Sequence, residues 1–483
     1  MQTIFSGQPA IRQLYPAGVV HPANYCAEAQ NFSRGDTTGG DLVRLDGRGL
    51  VALSRGDVVI CRQSEVSQHQ DMVRYLNTLG VSSLRPRDVF GVEDREASTP
   101  VCQTTASLLQ QDRASIQAVR AMINGARHMV PFIASDASIQ IASHFKLDGT
   151  QSSQAVDLAN NKGALSHGAQ QFGFLTPPTT RPKNLAQAQE QFEHLLHLAD
   201  QYPTIYDNKV WLKLNRSSGG EGVMAFSDID AFLSFLTQDH NPHKSENTTR
   251  ADTIQKLMPK GVEKTFQGSK GLGFYNSMVD QGEYEGVVLQ IGGKARAHEP
   301  VPNINFFVGA SPSEDRYIGA SAQVIEKDSI HVGNQGLSNQ NDHNSFLPVI
   351  QKVAHWLRSL GFRGICGIDA VISPQGDIWV IDINARWNAS TSTLMTFNNL
   401  RHLPGVETFR YAGKIRVPQG TGMHAFTRWL DLQKINFTPG RGGVIPINLM
   451  PAQDADHPVI NAAILGPDSQ TVSEYFDLAH MRP

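Results

Sequence analysis

The stretch that most constrains the fold runs from Gly364 to Arg386. Gly364-Ile365-Cys366-Gly367-Ile368-Asp369-Ala370-Val371-Ile372 and Asp377-Ile378-Trp379-Val380-Ile381-Asp382-Ile383-Asn384-Ala385-Arg386 are both rich in β-branched residues. Between them lies Ser373-Pro374-Gln375-Gly376, with Pro second and Gly fourth, as a type I turn prefers. Two such runs joined by turn residues read as a β-hairpin. If Ile372 faces Asp377, then Asp369 lies opposite Val380 and Asp382 opposite Gly367. Side chains alternate between faces along a strand, so Asp382, Asn384 and Arg386 share the face of Val380, which is also the face of Asp369. In this register Asp369 and Asp382 are diagonal neighbours, about 7–8 Å apart at the backbone. A one-residue bulge would turn one strand over. Two carboxylates on one face of a mostly apolar hairpin repel each other unless something neutralises them. Magnesium, held by few carboxylates and completed by ligand phosphates, suits two Asp and an Asn. The alternative is a solvated face with Arg386 as an ion-pair partner.

A phosphate-binding site needs cations and backbone donors. In Val210-Trp211-Leu212-Lys213-Leu214-Asn215 the alternation turns Val210, Leu212 and Leu214 one way and Trp211, Lys213 and Asn215 the other, so Lys213 projects from a strand whose opposite face is core. Arg216-Ser217-Ser218-Gly219-Gly220-Glu221-Gly222 follows at once, and its small residues allow N–H groups to approach phosphates closely. The G-x-x-x-x-G-K-[ST] pattern is absent, which excludes a P-loop. A second lysine, Lys162, follows Asp157-Leu158-Ala159-Asn160-Asn161 and opens a helical pattern that stops before Thr176-Pro177-Pro178.

Composition narrows the classes further. With 483 residues, the chain suggests about three domains at roughly 100–200 residues each. The 42 basic and 45 acidic residues leave a net charge of −3, too little positive charge for a broad nucleic-acid-binding face. No run approaches about 18 apolar residues, so no membrane span is expected, and Met1-Gln2-Thr3-Ile4-Phe5-Ser6 lacks the basic and apolar regions of a secretory signal. Cys26, Cys61, Cys102 and Cys366 are too scattered for a disulfide framework or a zinc pattern and suit a reducing cytoplasm.

Three stretches emerge. Residues 1–155 alternate short strands with helices: a strand at Val58–Cys61, a helix over Gln68–Leu79 stopped by Gly80, a helix over Ala114–Ile123 and a strand at Met129–Ile133. This pattern implies a small parallel α/β domain, without the G-x-G-x-x-G of a dinucleotide fold. Residues 156–290 carry the lysines, the glycine loop and a polar insertion over 238–273, where His240 and His243 flank a proline unsuited to a helical metal site. Residues 291–483 carry the hairpin and a C-terminal extension with Gly440-Arg441-Gly442-Gly443 before Val444-Ile445-Pro446-Ile447.

Lys162, Lys213 with its glycine loop, and Asp369 followed by Asp382-x-Asn384-x-Arg386, in this order, resemble the ATP-grasp ligase superfamily over residues 156 to 400. The details look closest to ATP-grasp peptide ligases of peptide natural-product assembly. The resemblance implies an α/β and α+β architecture: an ATP-grasp fold preceded by a small α/β domain. It implies that Lys162 and Lys213 contact ATP phosphates, that Ser217, Ser218, Gly219 and Gly220 form a flap over them, and that Gln290 and Ile291 lie at the adenine hinge. Asp369, Asp382 and Asn384 would hold one or two Mg²⁺, with Mn²⁺ as an alternative ion, and Arg386 would contact an acyl phosphate or a substrate carboxylate. Both acidic metal positions are Asp where the family usually has Glu, so each reaches about one methylene less. The usual acidic hinge residue is not evident, and Glu299 is assigned instead, towards the ribose.

The implied chemistry activates a carboxylate as an acyl phosphate, releasing ADP, and couples it to an amine. Lys213 and Arg386 are the candidate catalytic residues. Mg²⁺ and lysines offset charge on the transferring phosphoryl group. No G-x-S-x-G or Cys/His signature points to a nucleophilic residue. Two other functions remain open: carboxylation through carboxyphosphate, for which the chain has no carrier-like Met-Lys-Met, and nucleotide binding without turnover. Partners are then a small-molecule acid and an amine or peptide, with neither nucleic acid nor membrane, and the family admits a homodimer.

Overall fold

The computed structural model describes residues 1–3, 10–22, 48–92, 116–117, 120–121, 123, 125–182, 185–214, 223–237, 262–263, 287–296, 301–326, 330–337, 343–418, 420–448 and 459–481. Strand β1 (Gln2–Thr3) runs parallel beside a strand of the largest sheet, described below. The next four strands, β2 (Gly18–Pro22), β3 (Val58–Arg62), β4 (Val89–Val92) and β5 (Ala126–Met129), form an all-parallel sheet in the order β4-β3-β2-β5. A parallel sheet is covered on both faces, and Val58, Val59, Ile60 and Cys61 are accordingly all buried. The helix Val66–Thr78 buries Met72, Val73 and Leu76, and the left-handed Gly80 (φ +72°) turns the chain after it. The strand expected over Met129–Ile133 lies earlier, over Ala126–Met129. Pro131 has no N–H to continue the ladder, and the last bond is from Val130 N to Val20 O at 2.9 Å. The helix expected over Ala114–Ile123 falls largely outside the described residues. Asp57 is fully buried and accepts from Val19 N (2.9 Å) and Ser54 N (2.7 Å), while Arg12 Nη2 approaches it to 2.6 Å.

A second, antiparallel sheet contains β6 (Thr179–Thr180), β7 (Tyr206–Leu214), β8 (Val223–Phe226), β9 (Val262–Glu263) and β10 (Val287–Gly293), in the order β6-β10-β7-β8-β9. Val210 and Leu212 sit in its core with Phe192 of the helix Leu185–Gln201, whose ring stacks on Phe232 at 4.3 Å. Strand β10 passes through position 290, so Gln290 and Gly293 share one element. Of the 238–273 insertion, including His240 and His243, only Val262–Glu263 lies within the described residues.

Among the described residues, the largest sheet has nine strands. Besides β1 these are β11 (Pro302–Val308), β12 (Arg316–Glu326), β13 (Ile330–Gly336), β14 (Gly364–Ile372), β15 (Ile378–Asn384), β16 (Thr408–Arg416), β17 (Gly443–Pro446) and β18 (Val459–Gly466), in the order β15-β14-β11-β12-β13-β16-β18-β17. The β1 strand lies against β12. The helices Lys162–Phe172 and His343–Ser359 pack closely: a Cβ on Gly168 would come within 2.5 Å of the Trp356 ring. The segment after the first helix joins two sheet edges, since Val380 N of β15 donates to Leu175 O (2.9 Å) and β6 then pairs with β10. Among the described residues, no helix is long and apolar enough to cross a membrane.

Candidate active site between two sheets

The hairpin forms, and its register differs from the simplest expectation. Gly376 N donates to Ser373 O (2.9 Å) and Gly376 adopts φ +93°, which adds a residue at the turn and pairs Ile372 with Ile378 rather than Asp377. A second slip follows between Ala370–Val380 and Asp369–Asp382, at a bulge that contains Ile381. Each one-residue slip turns a strand over, and two restore the original face. Asp369 therefore sits directly opposite Asp382 instead of opposite Val380, and Asn384 sits opposite Gly367. Val380, expected on the carboxylate face, is instead fully buried in the core opposite Ala370.

Asp369 is held by amides from three strands. Its Oδ1 accepts from Asn303 Nδ2 (2.5 Å) and Gln323 Nε2 (2.6 Å), and its Oδ2 from Asn384 Nδ2 (3.3 Å). Asn303 is itself oriented. Its Oδ1 accepts from Asn305 Nδ2 (2.7 Å) and Ser390 Oγ (2.5 Å), so its Nδ2 faces the carboxylate. Ser390 stands at the start of the helix Ala389–Leu400, capped by Asn388, whose Oδ1 accepts from Thr391 N (2.9 Å).

Two lysines converge on the same strand from separate elements. Lys162 is the first residue of its helix, fixed by Asn161, whose Oδ1 accepts from Gly163 N and Ala164 N at 3.0 Å each. Its Nζ lies 3.4 Å from Asp382 Oδ1. Lys213 leaves β7 on the face away from the core. It donates to Gln290 Oε1 (2.5 Å) and, across the gap between the sheets, to Ile381 O (3.4 Å). Burial lowers the Lys213 pKa to about 8, with Lys162 acting in the same direction and Asp382 and Asp369 opposing it.

Gln290 is buried, and its amide links Lys213 to Thr179, donating from Nε2 to Thr179 Oγ1 at 3.0 Å. Ile291 is fully buried in the second sheet's core, and its N–H donates to Pro178 O (3.1 Å). That amide is committed within the fold. Ser217, Ser218, Gly219, Gly220 and Glu299 lie outside the described residues.

Arg386 follows the hairpin. Its N–H donates to Asn384 O (2.8 Å), and its Nη1 donates to Asn160 Oδ1 (2.9 Å) rather than to either aspartate. Trp387 N bonds to Phe132 O (3.0 Å), which fastens this loop to the segment after β5. Cys366 is fully buried and burial pushes its thiol pKa well up, which suits packing rather than nucleophilic chemistry.

The donor set fits a hard cation. Asp369, Asp382 and Asn384 offer oxygen, and among the described residues no group of three or more His, Cys, Asp or Glu is gathered. An ion here would need oxygens from elsewhere, which is how magnesium is usually shared between one or two carboxylates and phosphates. Sequence reasoning passed over Asn303, Gln323, Asn160 and Thr179. Only Asn303 left a signal, since Asn303 and Asn305 repeat at spacing two within Pro302–Val308 and mark a polar face on an otherwise apolar strand.

No protein-family model matches the chain. Among solved structures, the ADP complex of an N5-carboxyaminoimidazole ribonucleotide synthetase aligns over 99% of this chain and 98% of that one, at 9% identity and a TM-score of 0.50. A phosphoribosylamine–glycine ligase from Thermotoga maritima aligns over 95% of each chain at 10% identity and a TM-score of 0.49. A biotin carboxylase complex from Campylobacter jejuni aligns over 96% of this chain and 90% of that one, at 12% identity and a TM-score of 0.48. The synthetase likeness extends over nearly the whole of both chains. The chain has the mixed helix-and-sheet fold of the ATP-grasp proteins.

Proposed function

We propose that this protein is an ATP-dependent carboxylate–amine ligase that forms an amide, with a peptide bond as the specific product. The observation that carries this reading is the convergence of Lys162 and Lys213 on a strand whose Asp382 directly opposes Asp369. Paired carboxylates with two buried cations, set between two sheets, form a site for a polyphosphate and a divalent ion. Asp369, Asp382 and Asn384 would hold Mg²⁺, which when bound screens phosphate charge. Lys162 and Lys213 supply fixed positive charge for the phosphates of ATP, in surroundings dry enough to strengthen it. Gln290 keeps the Lys213 ammonium aimed. By the resemblance, Ser217, Ser218, Gly219 and Gly220 would contact the phosphates and Glu299 the ribose.

In this reaction a substrate carboxylate oxygen attacks the γ-phosphorus, and the bond to ADP breaks. The amine nitrogen then attacks the activated carbonyl, and phosphate leaves as the nitrogen loses a proton. Arg386 orients the carboxylate with paired N–H groups and offsets charge on the carbonyl oxygen, which a lysine does less well. The test is a panel of amino acids and dipeptides offered as acid and amine with MgATP, scored by ADP release and product mass. ADP formed with bicarbonate in place of an organic acid would indicate a carboxylase instead. Nucleotide binding without ADP formation under any pairing would indicate a regulator.

A further inference from the structure

We infer that Asn160 is a positioning residue that holds the Arg386 guanidinium in its working orientation. Asn160 ends the helix Ser153–Ala159, two residues before Lys162, and is 6% exposed. Its Nδ2 donates to Val156 O (2.8 Å), which fixes the plane of the amide and turns Oδ1 towards the hairpin. That single oxygen accepts from both Ala385 N (3.0 Å) and Arg386 Nη1 (2.9 Å). The backbone bond sets where the strand leaves β15, and the side-chain bond sets where the guanidinium points. With Lys162 on Asp382, residues 160 to 162 grip the segment 382 to 386 at both ends. Bonding one Nη to a neutral amide leaves Arg386 its full charge and its remaining N–H groups for an anionic substrate. A carboxylate at position 160 would compete with that substrate. The kinetic consequence rests on the ligase reading, whereas the orientation itself does not.

The structural arm needs no substrate. Phenylglyoxal modification of Arg386 is followed by peptide mass spectrometry, with Arg358, bonded to Asp315, as the internal reference. Asn160→Ala should speed modification of Arg386 about fivefold or more, consistent with loss of a hydrogen bond to a charged group, and leave Arg358 unchanged. Equal rates at Arg386 in wild type and Asn160→Ala would overturn the inference. If the alanine variant does not fold, Asn160→Gln, which moves the amide by one methylene, gives the same comparison. The kinetic arm uses the acid–amine pair found by the panel. Asn160→Ala should lower kcat about tenfold with the KM for ATP within about twofold, and should cost less than about twofold more in an Arg386→Ala background, because residues acting through one group are not additive. Multiplying losses would overturn it. A wild type that ligates nothing refutes the ligase reading while the labelling still decides the role of Asn160.

Discussion

Replacing Gln290 by leucine removes the shorter of the two hydrogen bonds on the Lys213 ammonium and leaves the longer one, to Ile381 O at 3.4 Å. A hydrogen bond to a charged group contributes about 1.5–3 kcal/mol. Taking about 2 kcal/mol as the loss, the ammonium becomes roughly 30-fold more acidic, since about 1.4 kcal/mol is a factor of ten. Wild-type Lys213 has a pKa of about 8. The charged fraction at about pH 7.5 therefore falls from roughly three-quarters to roughly one-tenth in the variant. If only the ammonium binds phosphate, ATP affinity drops about eightfold at that pH, and at about pH 6, where both proteins are mostly charged, the two agree within about twofold. Isothermal titration with ATP and Mg²⁺ at the two pH values measures this directly. An equal loss at both pH values, or none at about pH 7.5, would refute the argument that Gln290 acts by keeping Lys213 protonated.

Asp382→Asn keeps the shape of the side chain and removes one charge from the carboxylate pair. ATP turnover should fall at least about 100-fold with an unchanged circular dichroism spectrum, and near-wild-type turnover at saturating Mg²⁺ would reject its assignment. Arg386→Lys should depress product formation strongly while ATP affinity and melting temperature stay near wild type; joint loss of stability and nucleotide binding would make Arg386 structural. Asp57→Ala leaves Arg12 and two buried N–H groups without their carboxylate and should cost about 3–5 kcal/mol in denaturant unfolding. The ATP affinity of the protein that remains folded should not change, and a loss below about 1 kcal/mol would mean that water replaces the carboxylate.

What the sequence made legible was local. Alternation through Val210–Asn215 was enough to set Lys213 apart from the core, and the turn at Ser373–Gly376 was enough to define the hairpin. The pairing of the two aspartates was not legible in detail, because two successive slips, one at Gly376 and one around Ile381, depend on turn and bulge geometry that residue types do not specify. Their sum of two residues preserved the shared face. The partners of Asp369 were hidden for another reason. Asn303 lies 66 positions away and Gln323 46, and they reach Asp369 only because β11 pairs with both β14 and β12. Asn160 and Arg386 are separated by 226 positions, and nothing in the local pattern around Asn160 distinguishes it from an ordinary helix end. Gln290 was legible as part of a strand near the site, while its attachment to Lys213 follows from the cross-strand register, in which it lies opposite Trp211 and diagonal to Lys213.

The central claim is that the two lysines and the opposed aspartates serve the activation of an acid for an amine. Its most direct test follows ADP from the purified chain with MgATP and each acid, alone and with each amine of the panel, alongside mass spectrometry of the products. The account predicts ADP stoichiometric with a product whose mass equals acid plus amine less water, and little ADP when either is missing. ADP release that proceeds equally without an amine and yields no condensed product, or that requires bicarbonate alone, would contradict it.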